Sequence, residues 1–284
     1  MTNPGLPARL ASEPSGNVTP VLVWHWVQEH RWLSILVLAF IILSSAGGTA
    51  WALVFRTVSS PVGLRDALRM YRKEQSERML STLRSRLPGP GVYSYRTSGG
   101  EGLNLVGVQR GFPSETPMIV TESRCATVSW VPITQHTEST MVCPGADGAL
   151  SVPRLVTYED IAGTATTATL TCPATAYLLP AGPSAGLRWS ATCSLSSPAE
   201  KVALAGVVLG PATMTVGGAA LRVEHTRLTF TYQGGAQGTN PTDYWIVPST
   251  GLIVREKEMV SITQGGVHYG ENMDTVLTGL VPAR

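Results

Sequence analysis

Residues 242–270 read TDYWIVPSTGLIVREKEMVSITQGGVHYG. Pro248-Ser249-Thr250-Gly251 has turn chemistry in order, with Pro presetting φ and Gly supplying the left-handed position. Apolar and β-branched residues flank it over 242–247 and 252–264. Gly265-Gly266 then turns the chain into 267–280. Upstream, 213–216 and 219–232 flank Gly217-Gly218, the dipeptide of a tight hairpin. Consecutive strands joined by turns this short make an antiparallel meander.

Further strands are expected at 92–96, 103–110, 116–122, 126–133, 139–143, 150–157, 164–171, 187–194 and 200–209. Within 219–232 the apolar phase runs as Leu221 and Val223, then shifts to Leu228, Phe230 and Tyr232. A phase change inside a strand signals a bulge or a strand serving two layers. The expected fold is mainly β: a curved antiparallel sheet over residues 88–284, half-barrel or sandwich-like.

All four cysteines fall in this part: Cys125, Cys143, Cys172 and Cys193. None forms a CxxC pair, so two disulfides are favoured over a zinc site. Three pairings exist, and Cys125–Cys143 with Cys172–Cys193 is preferred because each closes a local loop. Four buried free thiols are the alternative. Disulfides would place the domain outside the cytoplasm.

Towards the N-terminus, residues 32–55 are uncharged, between Arg31 and Arg56. A helix of that length rises roughly 36 Å, enough to span a bilayer core of about 30 Å. The run Leu33–Leu43 is apolar on every face, unlike a soluble core helix. Ala50-Trp51-Ala52 has the small-x-small form of a cleavage site, so a signal peptide cut after Ala52 is the competing reading. Counting positive charges alone would put the C-terminal side in the cytoplasm. The cysteines point the other way, and large domains translocate with little regard to charge. The expectation is a single-pass signal-anchor in the plasma membrane. Residues 1–31 would be a cytoplasmic, partly disordered segment, and 88–284 would be extracytoplasmic.

Between anchor and sheet, Ser59-Ser60-Pro61 reads as a helix start. Leu64, Leu68, Tyr71, Gln75, Met79, Leu83 and Leu87 recur at helical spacing, giving a basic amphipathic helix over 61–87. Its apolar stripe either docks on the β domain, the preferred reading, or lies on lipid headgroups.

The chain has 284 residues and a formal charge of +2, unevenly spread. Residues 56–86 hold eight Lys/Arg against three acids, whereas the part from Leu87 holds eleven against fourteen. An acidic β domain argues against a nucleic-acid partner.

Catalytic signals are thin. Gly182-Pro183-Ser184-Ala185-Gly186 matches G-x-S-x-G, and Asp243 and His268 follow in the order of an α/β-hydrolase. That motif needs a strand before the serine and a helix after it, but another strand is expected at 187–194. A serine hydrolase at Ser184 is kept as an alternative, and the simpler reading is a loop. His25, His30, His136, His225 and His268 show no metal-ligand spacing, so each reads as a half-buried strand or surface residue. Glu159-Asp160 reads as a loop pair without a partner carboxylate. Gly234-Gly235 lacks the Lys-Ser/Thr of a phosphate loop. No catalytic, cofactor-binding or metal residue is therefore named, and no cofactor is expected. Tyr93, Tyr95, Trp130, Tyr177, Trp189, Phe230, Tyr244 and Trp245 read as β core first and as an apolar groove second.

Pro90-Gly91-Val92-Tyr93-x-Tyr95, Cys125 with Trp130, Cys143, Cys172, Leu179-Pro180…Trp189-x-x-x-Cys193, Val216-Gly217-Gly218 and Tyr244-Trp245…Thr250-Gly251-Leu252 occur in that order. Over about 88–284 this resembles a group of uncharacterised actinobacterial membrane proteins with one N-terminal anchor and a Cys-bearing β domain. The resemblance implies architecture and no activity. DYWIVPSTGLIVRE is also similar to a strand-turn-strand of half-barrel lipid carriers and stress sensors of the LolA, LppX and RseB type, which implies a curved sheet around helices. No lipobox cysteine is present. The combined expectation is an envelope module anchored in the lipid bilayer through 32–55. It would bind an apolar ligand, a peptide or an envelope protein without enzymatic chemistry. A structural or assembly role is the alternative.

Overall fold

The computed structural model describes residues 59–76, 87–104, 108–161, 163–196 and 199–284. The expected anchor at 32–55, the segment 1–31 and the second half of the 61–87 helix lie outside them. Among the described residues no helix is long and apolar enough to cross a membrane.

Among the described residues, one helix, α1 (Leu64–Ser76), precedes fourteen strands. These are β1 (Gly91–Leu103), β2 (Val108–Gly111), β3 (Glu115–Glu122), β4 (Ala126–Ile133), β5 (His136–Pro144), β6 (Leu150–Ile161), β7 (Thr164–Thr171) and β8 (Tyr177–Leu179). They continue with β9 (Arg188–Ser196), β10 (Ala199–Val216), β11 (Ala219–Gln233), β12 (Ala236–Ile246), β13 (Ile253–Gln264) and β14 (Val267–Leu277). Neighbours run β14-β13-β12-β11-β10-β9-β7-β6-β5-β4-β3-β1, and β1 pairs back onto β14. The curved antiparallel sheet expected from sequence is therefore present, and its two edges meet to close a twelve-stranded barrel. Closure removes the unpaired edges an open half-barrel would keep. The seam runs from Tyr95↔Leu277 to Leu103↔Tyr269. Two short strands stand off the ring: β2 continues β3 along β1, and β8 pairs with β6.

The C-terminal meander forms as its turns dictate, with positive φ at Gly217, Gly218, Gly251, Gly265 and Gly266. The phase change in β11 falls where Val223 and Glu224 are both buried. Its cause lies on the partner strand, where the register slips between Val208 and Gly210. Two expected breaks differ. Residues 200–209 and 213–216 belong to one strand, because Pro211 sits beside that bulge. Residues 103–110 are not one strand: β1 ends at Leu103 and β2 starts at Val108.

Pro61 does not start a helix. It bridges to Ile133 in extended form, and Gly63 O accepts the first helical amides, from Asp66 and Ala67. Val62, Ala67 and Tyr71 pack on Val92, Ile119 and Val131. Those three residues alternate with Tyr93, Met118, Val120 and Trp130, which belong to the main core. The helix thus docks on the outside of the barrel, with Leu68 partly buried and Leu64 exposed.

Both preferred disulfides are present, Cys125–Cys143 and Cys172–Cys193, and no described cysteine is free. Each closes a loop of about twenty residues, worth roughly 3 kcal/mol in the chain-entropy picture.

Candidate functional site

Twelve strands enclose more space than side chains fill; eight suffice for a packed interior. One part of the lumen is plugged by Tyr95, Met118, Trp130, Leu204, Leu228 and Ile246. The remainder holds a cavity of about 670 Å³. Gly265 of the β13–β14 turn and Thr164 at the start of β7 line it, so it opens at the end of the barrel carrying those turns. Leu103, Ile161, Leu195, Val260 and Ile262 make its apolar wall. Glu138, Glu159, Tyr232, Asn240, Tyr269 and Glu271 make its polar part. A smaller space of about 80 Å³ shares Glu138 and Tyr232 and continues to Glu256 and Glu258.

The polar part is built from two cross-strand rows. Glu101 on β1 lies opposite Arg110 on β2 and, across the seam, opposite Glu271 on β14. His136 on β5 lies opposite Glu159 on β6. Barrel curvature brings the rows face to face. One ligand atom from each of Glu101, His136, Glu159 and Glu271 lies within 4.8 Å of all the others.

Each contact has a defined partner. Arg110 Nε donates to Glu101 Oε1, and Arg110 Nη1 donates to the Asp160 carbonyl at 2.8 Å. His136 Nδ1 donates to Glu101 Oε2 at 2.8 Å. His136 Nε2 is buried without a hydrogen-bond partner, as is Glu271 Oε1. Nε2 lies 4.0 Å from that Glu271 oxygen and 3.8 Å from Glu138 Oε1. The Tyr269 hydroxyl is 2.8 Å from Glu101 Oε2 and 2.7 Å from Glu271 Oε2. A phenol has one proton to donate, so the second contact needs a proton on a carboxyl.

The electrostatics identify its holder. Burial pushes the Glu271 carboxyl up to about 8, against the pull of His136. Glu101 goes the other way. Burial would raise it, but hydrogen bonding and charge from His136, the Arg110 charge and the Tyr269 hydroxyl hold it below its ordinary value. Burial alone would lower His136, yet the Glu271 charge and the contacts to Glu101 and Glu138 hold the imidazole well above its ordinary value. Burial also raises Glu159. Deeper in, burial and the Glu138 charge push Glu256 up to about 8 and Glu258 up as well. At neutral pH the lumen thus combines ionised Glu101, cationic Arg110 and His136, and carboxyls that hold protons.

The structure corrects the reading of two residues. His136 is wholly buried rather than half-buried or at the surface. Glu159 is a strand residue with His136 opposite and the carboxylates of Glu101 and Glu271 nearby. For His136 a signal was present as polar residues two apart, His136-x-Glu138, as it was for Glu256-x-Glu258 and Tyr269-x-Glu271. Spacing of two puts each pair on one face of a strand.

The hydrolase alternative fails on geometry. Ser184 sits in a turn, its carbonyl accepting from Leu187 N, and β9 follows instead of a helix. Asp243 is engaged on the barrel exterior by Arg227 and His225. His268 contacts Thr263. Of the expected aromatics, Tyr93, Tyr95, Trp130, Phe230 and Tyr244 are core. Tyr177 and Trp189 pack edge to face, and Trp245 stacks on His225 beneath Arg255.

No protein-family model matches the chain, and no curated protein matches it. Among solved structures, the hypothetical lipoprotein YmcC from Escherichia coli (K12) matches 79% of this chain and 99% of its own. Sequence identity is 14% and the TM-score is 0.33, a likeness too slight to carry an argument about fold or function.

Proposed function

We propose that the protein is a non-enzymatic binding module of the cell envelope that takes one small amphiphile into its barrel. The observation that carries this reading is the cavity of about 670 Å³, open at one end, apolar on one wall and carboxylate-rich on another. Its volume falls in the range of small-molecule sites, roughly 300–1,000 Å³. The lumen is not apolar throughout, which narrows the expected ligand. An apolar body would lie along Ile161, Leu195, Val260 and Ile262, and a hydrogen-bond-donating head would meet Glu138 and Asn240. The two disulfides support an oxidising compartment. With residues 32–55 as the anchor, the barrel would sit outside the plasma membrane.

The test is native mass spectrometry of the full chain purified from its own membranes in detergent. A bound small molecule is expected in the wild type, and it should be lost in Ala168→Phe, which fills the lumen. Wild-type protein without any bound mass, or equal binding in both chains, would overturn the reading.

A further inference from the structure

We infer that the barrel lumen contains a binding site for one divalent transition-metal cation of the zinc class, with His136 Nε2, Glu159 and Glu271 as its ligands. This goes beyond the amphiphile reading and does not depend on it.

Three observations carry the site. First, the imidazole is presented as metal-ligating histidines are. Nδ1 is held by the Glu101 carboxylate at 2.8 Å, which fixes the ring and leaves Nε2 facing inward. A carboxylate behind the distal nitrogen is the usual support for such a ligand. Second, two buried ligand atoms have no hydrogen-bond partner, His136 Nε2 and Glu271 Oε1, and they face each other 4.0 Å apart. Cation bonds of about 2.0–2.2 Å bridge such a gap with only a small shift of either side chain. Third, the ligand atoms converge: one atom from each of Glu101, His136, Glu159 and Glu271 lies within 4.8 Å of all the others. Glu101 is engaged by Arg110 and by His136 Nδ1, which leaves Glu159, Glu271 and His136 Nε2 to meet a cation.

The donor set selects the metal. One imidazole with carboxylates suits zinc, iron or manganese, whereas magnesium and calcium favour all-oxygen shells. Glu138 lies close enough to serve as a further ligand. The cavity supplies the entry path, because Glu159 and Glu271 line it.

The experiment uses the full chain, without a polyhistidine tag, stripped with chelator and titrated with zinc chloride by calorimetry. Cobalt(II) is titrated in parallel and followed by its visible d–d bands. One zinc per chain is expected. Binding should weaken at least about tenfold in Glu159→Gln and Glu271→Gln, and by roughly 10–100-fold in the positioning variant Glu101→Gln. His268→Ala, a hairpin histidine away from the cluster, should bind as wild type. Glu159 lines the open cavity, so its variant decides the matter even where a more deeply buried change impairs folding. Absence of stoichiometric zinc, zinc binding that survives Glu159→Gln unweakened, or zinc binding lost in His268→Ala would each overturn the inference.

Discussion

Glu101 and His136 hydrogen-bond at 2.8 Å although their strands are not neighbours. Strands β3 and β4 lie between β1 and β5 in the ring, so the contact crosses the lumen. Glu101 also takes Arg110, making it the shared anion of two buried cations.

Removing that anion should be costly. Glu101→Ala leaves Arg110 and His136 buried without their carboxylate, and breaking a buried pair by removing one partner typically costs about 3–5 kcal/mol. Urea denaturation of the purified chain should show a loss of that order. A loss under about 1 kcal/mol would mean that water replaces the carboxylate.

Stability should fall as pH rises through the neutral range. Glu256 faces Glu138 and Tyr244, with Glu258 two residues along, and is pushed from 4.5 to about 8 by burial and the Glu138 charge. A carboxyl raised in the folded state contributes stability fully below its unfolded value, and that contribution is lost as pH climbs to the folded one. The wild-type melting temperature should therefore drop between about pH 5 and pH 8.5. Glu256→Gln should reduce that drop, the underlying loss of unfolding free energy shrinking by no more than roughly 5 kcal/mol. Glu258 and Glu271 keep part of the slope in the variant. An unchanged slope would show that Glu256 is solvated.

The exterior ladder has the opposite sign. Asp243 accepts from Arg227 Nε at 2.9 Å, from Arg227 Nη2 at 2.8 Å and contacts His225 Nε2 at 2.9 Å. Burial would raise it, but these partners hold it below its ordinary 3.8. Its contribution is present above the unfolded value and is lost as pH falls through the lowered one. Asp243→Asn should cost about 1 kcal/mol at neutral pH, modest because Arg227 is half-exposed. The gap between variant and wild type should close in acid, as read from guanidinium midpoints at several pH values.

The disulfides should carry separable increments. Cys172→Ser with Cys193→Ser should cost about 3 kcal/mol, and the Cys125–Cys143 pair a similar amount. Chemical denaturation of each double variant, with thiol counting to confirm the intact second bridge, measures both. Cys193 is wholly buried, so its bridge should resist reductant until the barrel opens.

Much of the barrel was legible from turns. Gly217-Gly218, Pro248–Gly251 and Gly265-Gly266 each placed a hairpin where one forms, and loop length selected both disulfides. Ring closure was not legible, because the pairing of Tyr95 with Leu277 leaves no local mark. The site was hidden for a related reason. Arg255-Glu256-Lys257-Glu258 puts charge on both faces of its strand and so marks neither as inner, yet Glu256 and Glu258 point into the lumen while Arg255 pairs with Asp274. Alternation assigns residues to two faces without saying which is enclosed. Polar residues turn inward here because twelve strands leave a lumen that apolar side chains do not fill.

The seam between β1 and β14 also sets the timing of assembly. The strand that seals the cylinder is the last of the sheet to leave the ribosome, and its partner is the first. Until β14 arrives, β1 and β13 both expose unpaired backbone, open to pairing with another chain. Contacts so distant in sequence form slowly. A chain cut short before Val267 would lose Glu271 and the closing strand together, leaving a sticky open sheet with an incomplete acidic cluster.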